Sequence, residues 1–184
     1  MLTKRALINV DYTNDFVADE GNLTCGEPGQ LIENKIVGLT EQFIGAGEYV
    51  VFAIDGHDEE DTFHPETELF PPHNIKGSSG RELYGELQSL YNQMKDQSNV
   101  YYMDKTRYSA FVGTDLEIKL RERQIEELHI VGVCTDICVL HTAIDAYNKG
   151  FELVIYQEAV ASFNKAGHDW ALEHFINTLG ATVI

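Results

Sequence analysis

Basic residues are scarce: the 184-residue chain has 13 Lys and Arg against 30 Asp and Glu, a formal net charge of −17. That balance argues against nucleic acid or an anionic membrane as partner, since both require a cationic surface. Cysteine is sparse and odd in number. Cys25, Cys134 and Cys138 cannot make a complete disulfide framework. Residues 1–10, MLTKRALINV, hold an apolar run too short for a secretory signal. Together these absences predict a reducing, cytoplasmic setting. No apolar run approaches the roughly 20 residues that a membrane-spanning helix needs. Repeats, low-complexity tracts and linkers are also missing, so residues 1–184 are expected to form one domain.

What is present is an alternation. Ala6–Val10, Tyr49–Ile54, Val100–Met103, Leu128–Val133, Phe151–Tyr156 and Ala181–Ile184 read as short buried strands. Between them, Leu31–Ala46, Arg81–Met94, Asp115–Arg123 and His168–Leu179 carry apolar residues at helical spacing. Residues 17–30 hold four glycines or prolines and look irregular. The strands are continuously apolar rather than alternating, which is the pattern of strands covered on both faces. The expected fold is α/β: a three-layer αβα domain around a mostly parallel, Rossmann-like sheet of about six strands.

The polar residues cluster where these strands end. Asp11, the Asp55/His57 pair, Lys105 and the turn Cys134–Cys138 each follow a predicted strand. In an open parallel sheet, ligands bind outside those carboxyl ends. The segment HIVGVCTDICVLHTAIDAY, 129–147, passes from strand to helix, with Thr135 and Asp136 as candidate N-caps and Cys138 in the first turn. A thiol there is expected to have a lowered pKa and to sit beside free backbone N–H groups able to hold an oxyanion. Lys105 would stabilise a thiolate, and Asp11 could take its proton and later deliver it to a leaving amine. Residues 58–80 form a long acidic loop without periodicity, of a length usually reserved for function. With Asp55 and His57 it offers His64, Glu66, Glu68 and His73 as further ligands for Zn²⁺, Fe²⁺ or Mn²⁺. Spacing alone does not choose between His64 and His73, nor exclude a solvated acidic loop.

Four stretches together resemble the nicotinamidases of the isochorismatase-like cysteine hydrolase superfamily: ALINVDYTNDF at 6–16, AIDGHDEEDTFHPETELFPPH at 53–73, DKTRYSAF at 104–111 and VGVCTDICVLHTAIDA at 131–146. The resemblance covers essentially the whole chain. It implies Asp11, Lys105 and Cys138 as a catalytic triad, and Asp55, His57, Glu66 and His73 as ligands of one divalent metal, Zn²⁺ by default. It leaves His64 outside the ligand pattern. It further implies Phe16, Phe70 and Tyr108 as walls around a pyridine ring, a cis peptide before Cys134, and an oxyanion hole from the backbone N–H groups of Cys134 and Cys138. Cys134 stands where many relatives carry Ala. The implied reaction is hydrolysis of nicotinamide, a small-molecule substrate, and the family is often homo-oligomeric. Other readings are another small-amide hydrolase of the superfamily, isochorismatase-type vinyl-ether cleavage, which needs no thiol, and a non-catalytic metal or redox module using a Cys134–Cys138 disulfide.

Overall fold

Six strands form, and they pair into one all-parallel sheet in a computed structural model that describes residues 4–184. They are β1 (Arg5–Val10), β2 (Tyr49–Asp55), β3 (Val100–Lys105), β4 (Glu127–Val133), β5 (Glu152–Ala161) and β6 (Thr182–Val183), in the order β3-β2-β1-β4-β5-β6. The order reverses between β1 and β4. That switch point leaves a crevice at the strand ends where neither crossover covers the sheet. Val10 leads from β1 into Asp11 there, and Val133 leads from β4 into Cys134.

The helices are α1 (Asn14–Val17), α2 (Glu27–Leu31), α3 (Glu33–Gly45), α4 (Gly85–Met94), α5 (Leu116–Glu122), α6 (Leu140–Asn148) and α7 (Lys165–Asn177). Successive strand residues point to opposite faces, so each strand feeds two cores. Ile8, Val51 and Ile130 pack with Leu116 and Leu120 of α5, Ala143 of α6 and Phe175 of α7. Leu7, Val50, Phe52 and Val131 pack on the other face with Ile36, Leu39 and Phe43 of α3 and Leu87 of α4. Each of these side chains except Ala143 contributes roughly 1.5–3 kcal/mol by leaving water. All seven residues of β2 are buried, which explains its apolar run from Tyr49 to Ile54 before Asp55. Among the described residues, no helix is long and apolar enough to cross a membrane.

The differences from the sequence expectation are local. Residues 17–30 are not wholly irregular: α1 ends and α2 begins within them. β5 continues beyond Tyr156 to Ala161 after a register shift against β4, carrying Gln157 and Glu158 that made the run look finished. Thr135 and Asp136 do not cap a helix. Residues 135–139 form a wide π turn ahead of α6, without a side-chain cap. Gly132 is required where β4 meets β1. Its φ is +119°, and a Cβ would lie 1.9 Å from the Val10 carbonyl oxygen.

Candidate active site

Asp11 takes a left-handed turn as the chain leaves β1, with φ +53°. The turn aims its carboxylate across the top of β2: Oδ1 accepts the Asp55 N–H at 2.7 Å, and Oδ2 lies 2.7 Å from Lys105 Nζ. Lys105 is the last residue of β3 and the register partner of Asp55. It is no surface lysine, being only 1% exposed. Its ammonium also lies 3.7 Å from Asp55 Oδ1 and 3.7 Å from Cys138 Sγ, and it donates to the Arg107 carbonyl at 3.1 Å. A buried ammonium is tolerated only with such partners.

These contacts shift how each group titrates. Burial pushes the Asp11 carboxyl up to about 6, although Lys105 pulls it down. Burial alone would lower the Lys105 ammonium, but Asp11, Cys138 and Asp55 reverse this and hold it above its ordinary value. Burial likewise pushes the Cys138 thiol well above its ordinary value; Lys105 opposes, while Asp11 and Asp55 add to the rise. This corrects the expectation of a thiol made acidic by a helix N-terminus. Cys138 is buried in the π turn under the crevice, and desolvation outweighs any dipole. Such a thiol requires a base, and Lys105 Nζ bridges it to the Asp11 carboxylate, 3.7 Å from Sγ and 2.7 Å from Oδ2.

Next to this group, Asp55, His57, Glu66 and His73 each present a ligand atom, all within 4.8 Å of one another. Asp55 Oδ2 lies 2.5 Å from His57 Nε2 and 3.6 Å from His73 Nε2; Glu66 Oε2 is 3.5 Å from the same His73 nitrogen. His73 Nδ1 donates to the Pro71 carbonyl at 2.8 Å, which leaves Nε2 facing the carboxylates. Both His73 Nε2 and Asp55 Oδ1 are buried without a hydrogen-bond partner. Orphaned polar atoms of this kind cost about 1–3 kcal/mol each, and a divalent cation suits this nitrogen and oxygen donor set. Burial lowers the His73 imidazole, yet the nearby carboxylates of Asp55 and Glu66 raise it to about 10. The site therefore favours positive charge between its carboxylates, as a proton or as a cation. His64 has no ligand capacity to spare. Its Nε2 donates to the Thr106 carbonyl at 2.7 Å and its Nδ1 accepts the Glu66 N–H at 3.2 Å, capping the short 3₁₀ turn Pro65–Glu68.

A narrow cavity of about 20 Å³ reaches Cys138 between Phe16, Phe70 and Tyr108, with Leu23, Glu66, Ile137 and Phe163 completing its wall. A larger surface depression of about 420 Å³, beside Arg5, Glu48 and Tyr49, opens at the amino ends of β1 and β2, away from this chemistry. Sequence reasoning missed Leu23, Ile137 and Phe163. Phe163 follows the end of β5 and could have been flagged on that ground; Leu23 sits in an aperiodic segment with no such signal. The turn below the cavity is braced by Ser162, just past β5, and by His168 of α7. Thr135 Oγ1 pairs with His168 Nδ1 at 2.8 Å, and Asp136 Oδ1 accepts the Ser162 hydroxyl at 2.6 Å. The Val133–Cys134 peptide is cis, as the resemblance implies. All three thiols are free, and the sulfur beside Cys134 is that of Cys25, 3.3 Å away, rather than the Cys138 sulfur that a redox module was expected to use.

Known proteins share this architecture. An uncharacterized isochorismatase family protein of Bacillus subtilis, PncA, is 68% identical over 180 residues, covering 98% of each chain. The crystal structure of nicotinamidase/pyrazinamidase PncA from Bacillus subtilis superposes with a TM-score of 0.98 at 67% identity, covering 98% of this chain and 99% of that one. More distantly, the pyrazinamidase of Pyrococcus horikoshii, solved in complex with zinc, matches with a TM-score of 0.83 at 27% identity over 98% of both chains. The isochorismatase domain model matches residues 5–184. The chain belongs to the isochorismatase family.

Proposed function

We propose that this amidohydrolase is a nicotinamidase, converting nicotinamide to nicotinate and ammonia in NAD salvage, with pyrazinamide as a second substrate. One observation carries the reading: a fully buried ammonium, Lys105, lies 2.7 Å from the Asp11 carboxylate and 3.7 Å from the Cys138 sulfur. An acid–base group, a cation and a thiol in one desolvated crevice are what acyl transfer to sulfur needs. Similarity to a nicotinamidase/pyrazinamidase supports nicotinamide as the amide.

The aromatic walls Phe16, Phe70 and Tyr108 hold the ring flat, with the carboxamide toward Cys138. Asp11 takes the thiol proton as Cys138 Sγ attacks the carboxamide carbon. Lys105 offsets the negative charge that the transfer leaves in the crevice. The backbone N–H groups of Cys134 and Cys138 receive the developing oxyanion, a contact worth about 2.7–4 kcal/mol per donor. Asp11 then returns its proton to the nitrogen, the C–N bond breaks, and ammonia leaves a nicotinoyl thioester on Cys138. A water that gives its proton to Asp11 cleaves the thioester, releasing nicotinate and restoring the thiol. Asp55, His57, Glu66 and His73 would hold the divalent cation, Zn²⁺ by default, with Fe²⁺ or Mn²⁺ suiting the same donors. When bound, that cation supplies a Lewis acid for the pyridine nitrogen. The reading includes one hydrolase domain over residues 1–184, a cytoplasmic setting and a homo-oligomeric state.

The test is a substrate panel of nicotinamide, pyrazinamide and simple aliphatic amides, assayed for ammonia with and without divalent metal. Metal-dependent turnover confined to the two heteroaryl amides supports the reading. Preference for an aliphatic amide would reassign the substrate within the family.

A further inference from the structure

Asp15 is buried, 5% exposed, and none of the steps above uses it. It lies in α1, one residue before Phe16. Its carboxylate is spent on backbone: Oδ2 accepts the Asn74 N–H at 2.7 Å, and Oδ1 accepts the Asn22 N–H at 3.2 Å. Asn74 directly follows His73. It is fully buried and takes a left-handed conformation, φ +45°, which Asn tolerates better than most residues. Its carbonyl accepts the His57 N–H at 3.1 Å, and its side-chain Oδ1 accepts the Thr13 hydroxyl at 2.9 Å. Asn74 therefore joins the backbones of two candidate metal ligands, and two of its three ties come from residues 13–15. Gly80 makes room for this arrangement: a Cβ there would stand 2.3 Å from Asp15 Oδ2. The same helical turn carries Phe16, whose ring centroid is 5.3 Å from that of His73.

We propose that Asp15 is a positioning residue that locks the backbone at Asn74, so that the His73 imidazole is held in register with Asp55, His57 and Glu66 and at fixed spacing from the Phe16 ring. A carboxylate accepting backbone N–H groups makes stronger bonds than a neutral acceptor would. It ties the wall that orients the ring to the cluster that would hold the cation, two parts that different loops deliver. The inference rests on the metal-centre reading above.

The experiment measures Zn²⁺ affinity by competition with a chromogenic chelator in the full-length wild type and in two variants. Asp15→Asn puts an amide where an acceptor is required. Gly80→Ala displaces the carboxylate without touching its charge. Both are expected to lower Zn²⁺ affinity by about 10- to 100-fold, the usual loss when a group orienting a ligand is removed. A residue that only supports the fold would instead lower the melting temperature of chelator-treated protein and leave the affinity of the folded fraction unchanged. Thr13→Val, which removes one neutral tie to Asn74, serves if either variant does not fold, and should shift affinity in the same direction by less. Wild-type affinity in the folded variants overturns the role assigned to Asp15. A wild type that takes up no Zn²⁺ overturns the metal reading, and this inference with it.

Discussion

Replacing Lys105 with methionine removes one charge from the molecule and keeps most of the side-chain volume. Asp11 is fully buried and Asp55 is 2% exposed, and the ammonium lies between their carboxylates at 2.7 and 3.7 Å. Neither carboxylate can turn to water when it goes. Breaking a buried ion pair from one side costs about 3–5 kcal/mol, because the remaining charge stays desolvated. A domain of this size has only about 5–15 kcal/mol to lose. Urea unfolding of chelator-treated Lys105→Met should therefore show a midpoint well below wild type at unchanged slope. Adding Asp11→Asn removes one of the stranded charges and should recover about 1–4 kcal/mol of the loss. That recovery separates charge stranding from lost packing. The Asp11 carboxyl, already at about 6 with the ammonium present, should titrate still higher in Lys105→Met. Stability of Lys105→Met within about 1 kcal/mol of wild type, or a double variant weaker than the single one, would refute the electrostatic account of the crevice.

Stripping metal with a chelator should lower ammonia release from nicotinamide, and added Zn²⁺, Fe²⁺ or Mn²⁺ should restore it; full activity in metal-free protein would contradict the assignment of Asp55, His57 and His73. A second test concerns acid stability. His129 is 4% exposed, with Nδ1 at 2.8 Å from the Tyr156 hydroxyl and Nε2 at 2.7 Å from Glu127 Oε1. Burial lowers its pKa below the ordinary 6.5, against the pull of Glu127. The unfolded chain then binds the proton first, so this residue's contribution is complete above pH about 6.5 and is lost as pH falls toward the folded value. Thermal unfolding of His129→Gln at pH 8 and at pH 5.5 should show a smaller acid-side drop than wild type; an equal drop would remove His129 from the acid response.

Much of this was legible before any coordinates, for reasons that differ by residue. Runs such as Tyr49–Ile54 announce themselves because burial on both faces leaves no polar position before the strand's last residue, Asp55. The convergence of Asp11, Lys105 and Cys138 followed from parallel topology, which places every strand's carboxyl end on one edge. The geometry of the 134–138 turn was not legible. Capping is a local property, yet Thr135 and Asp136 are held by His168 and Ser162, some 26 to 33 residues away. The thiol pKa failed for a related reason: a sequence shows the helix start beside Cys138 but not the depth of its burial. Choosing His73 over His64 required seeing that the Thr106 carbonyl and the Glu66 N–H occupy both nitrogens of His64. Asp15 reads as an ordinary polar residue of a loop, since its partner Asn74 is separated from it by 59 positions.

The most direct test compares ammonia release from nicotinamide by the purified wild type and by Cys138→Ala, with matched circular dichroism and melting temperature as evidence of an intact fold. Sulfur as the attacking atom predicts steady release by wild type and a loss on the order of 10⁴-fold or more in the variant. Undiminished turnover in folded Cys138→Ala would contradict it.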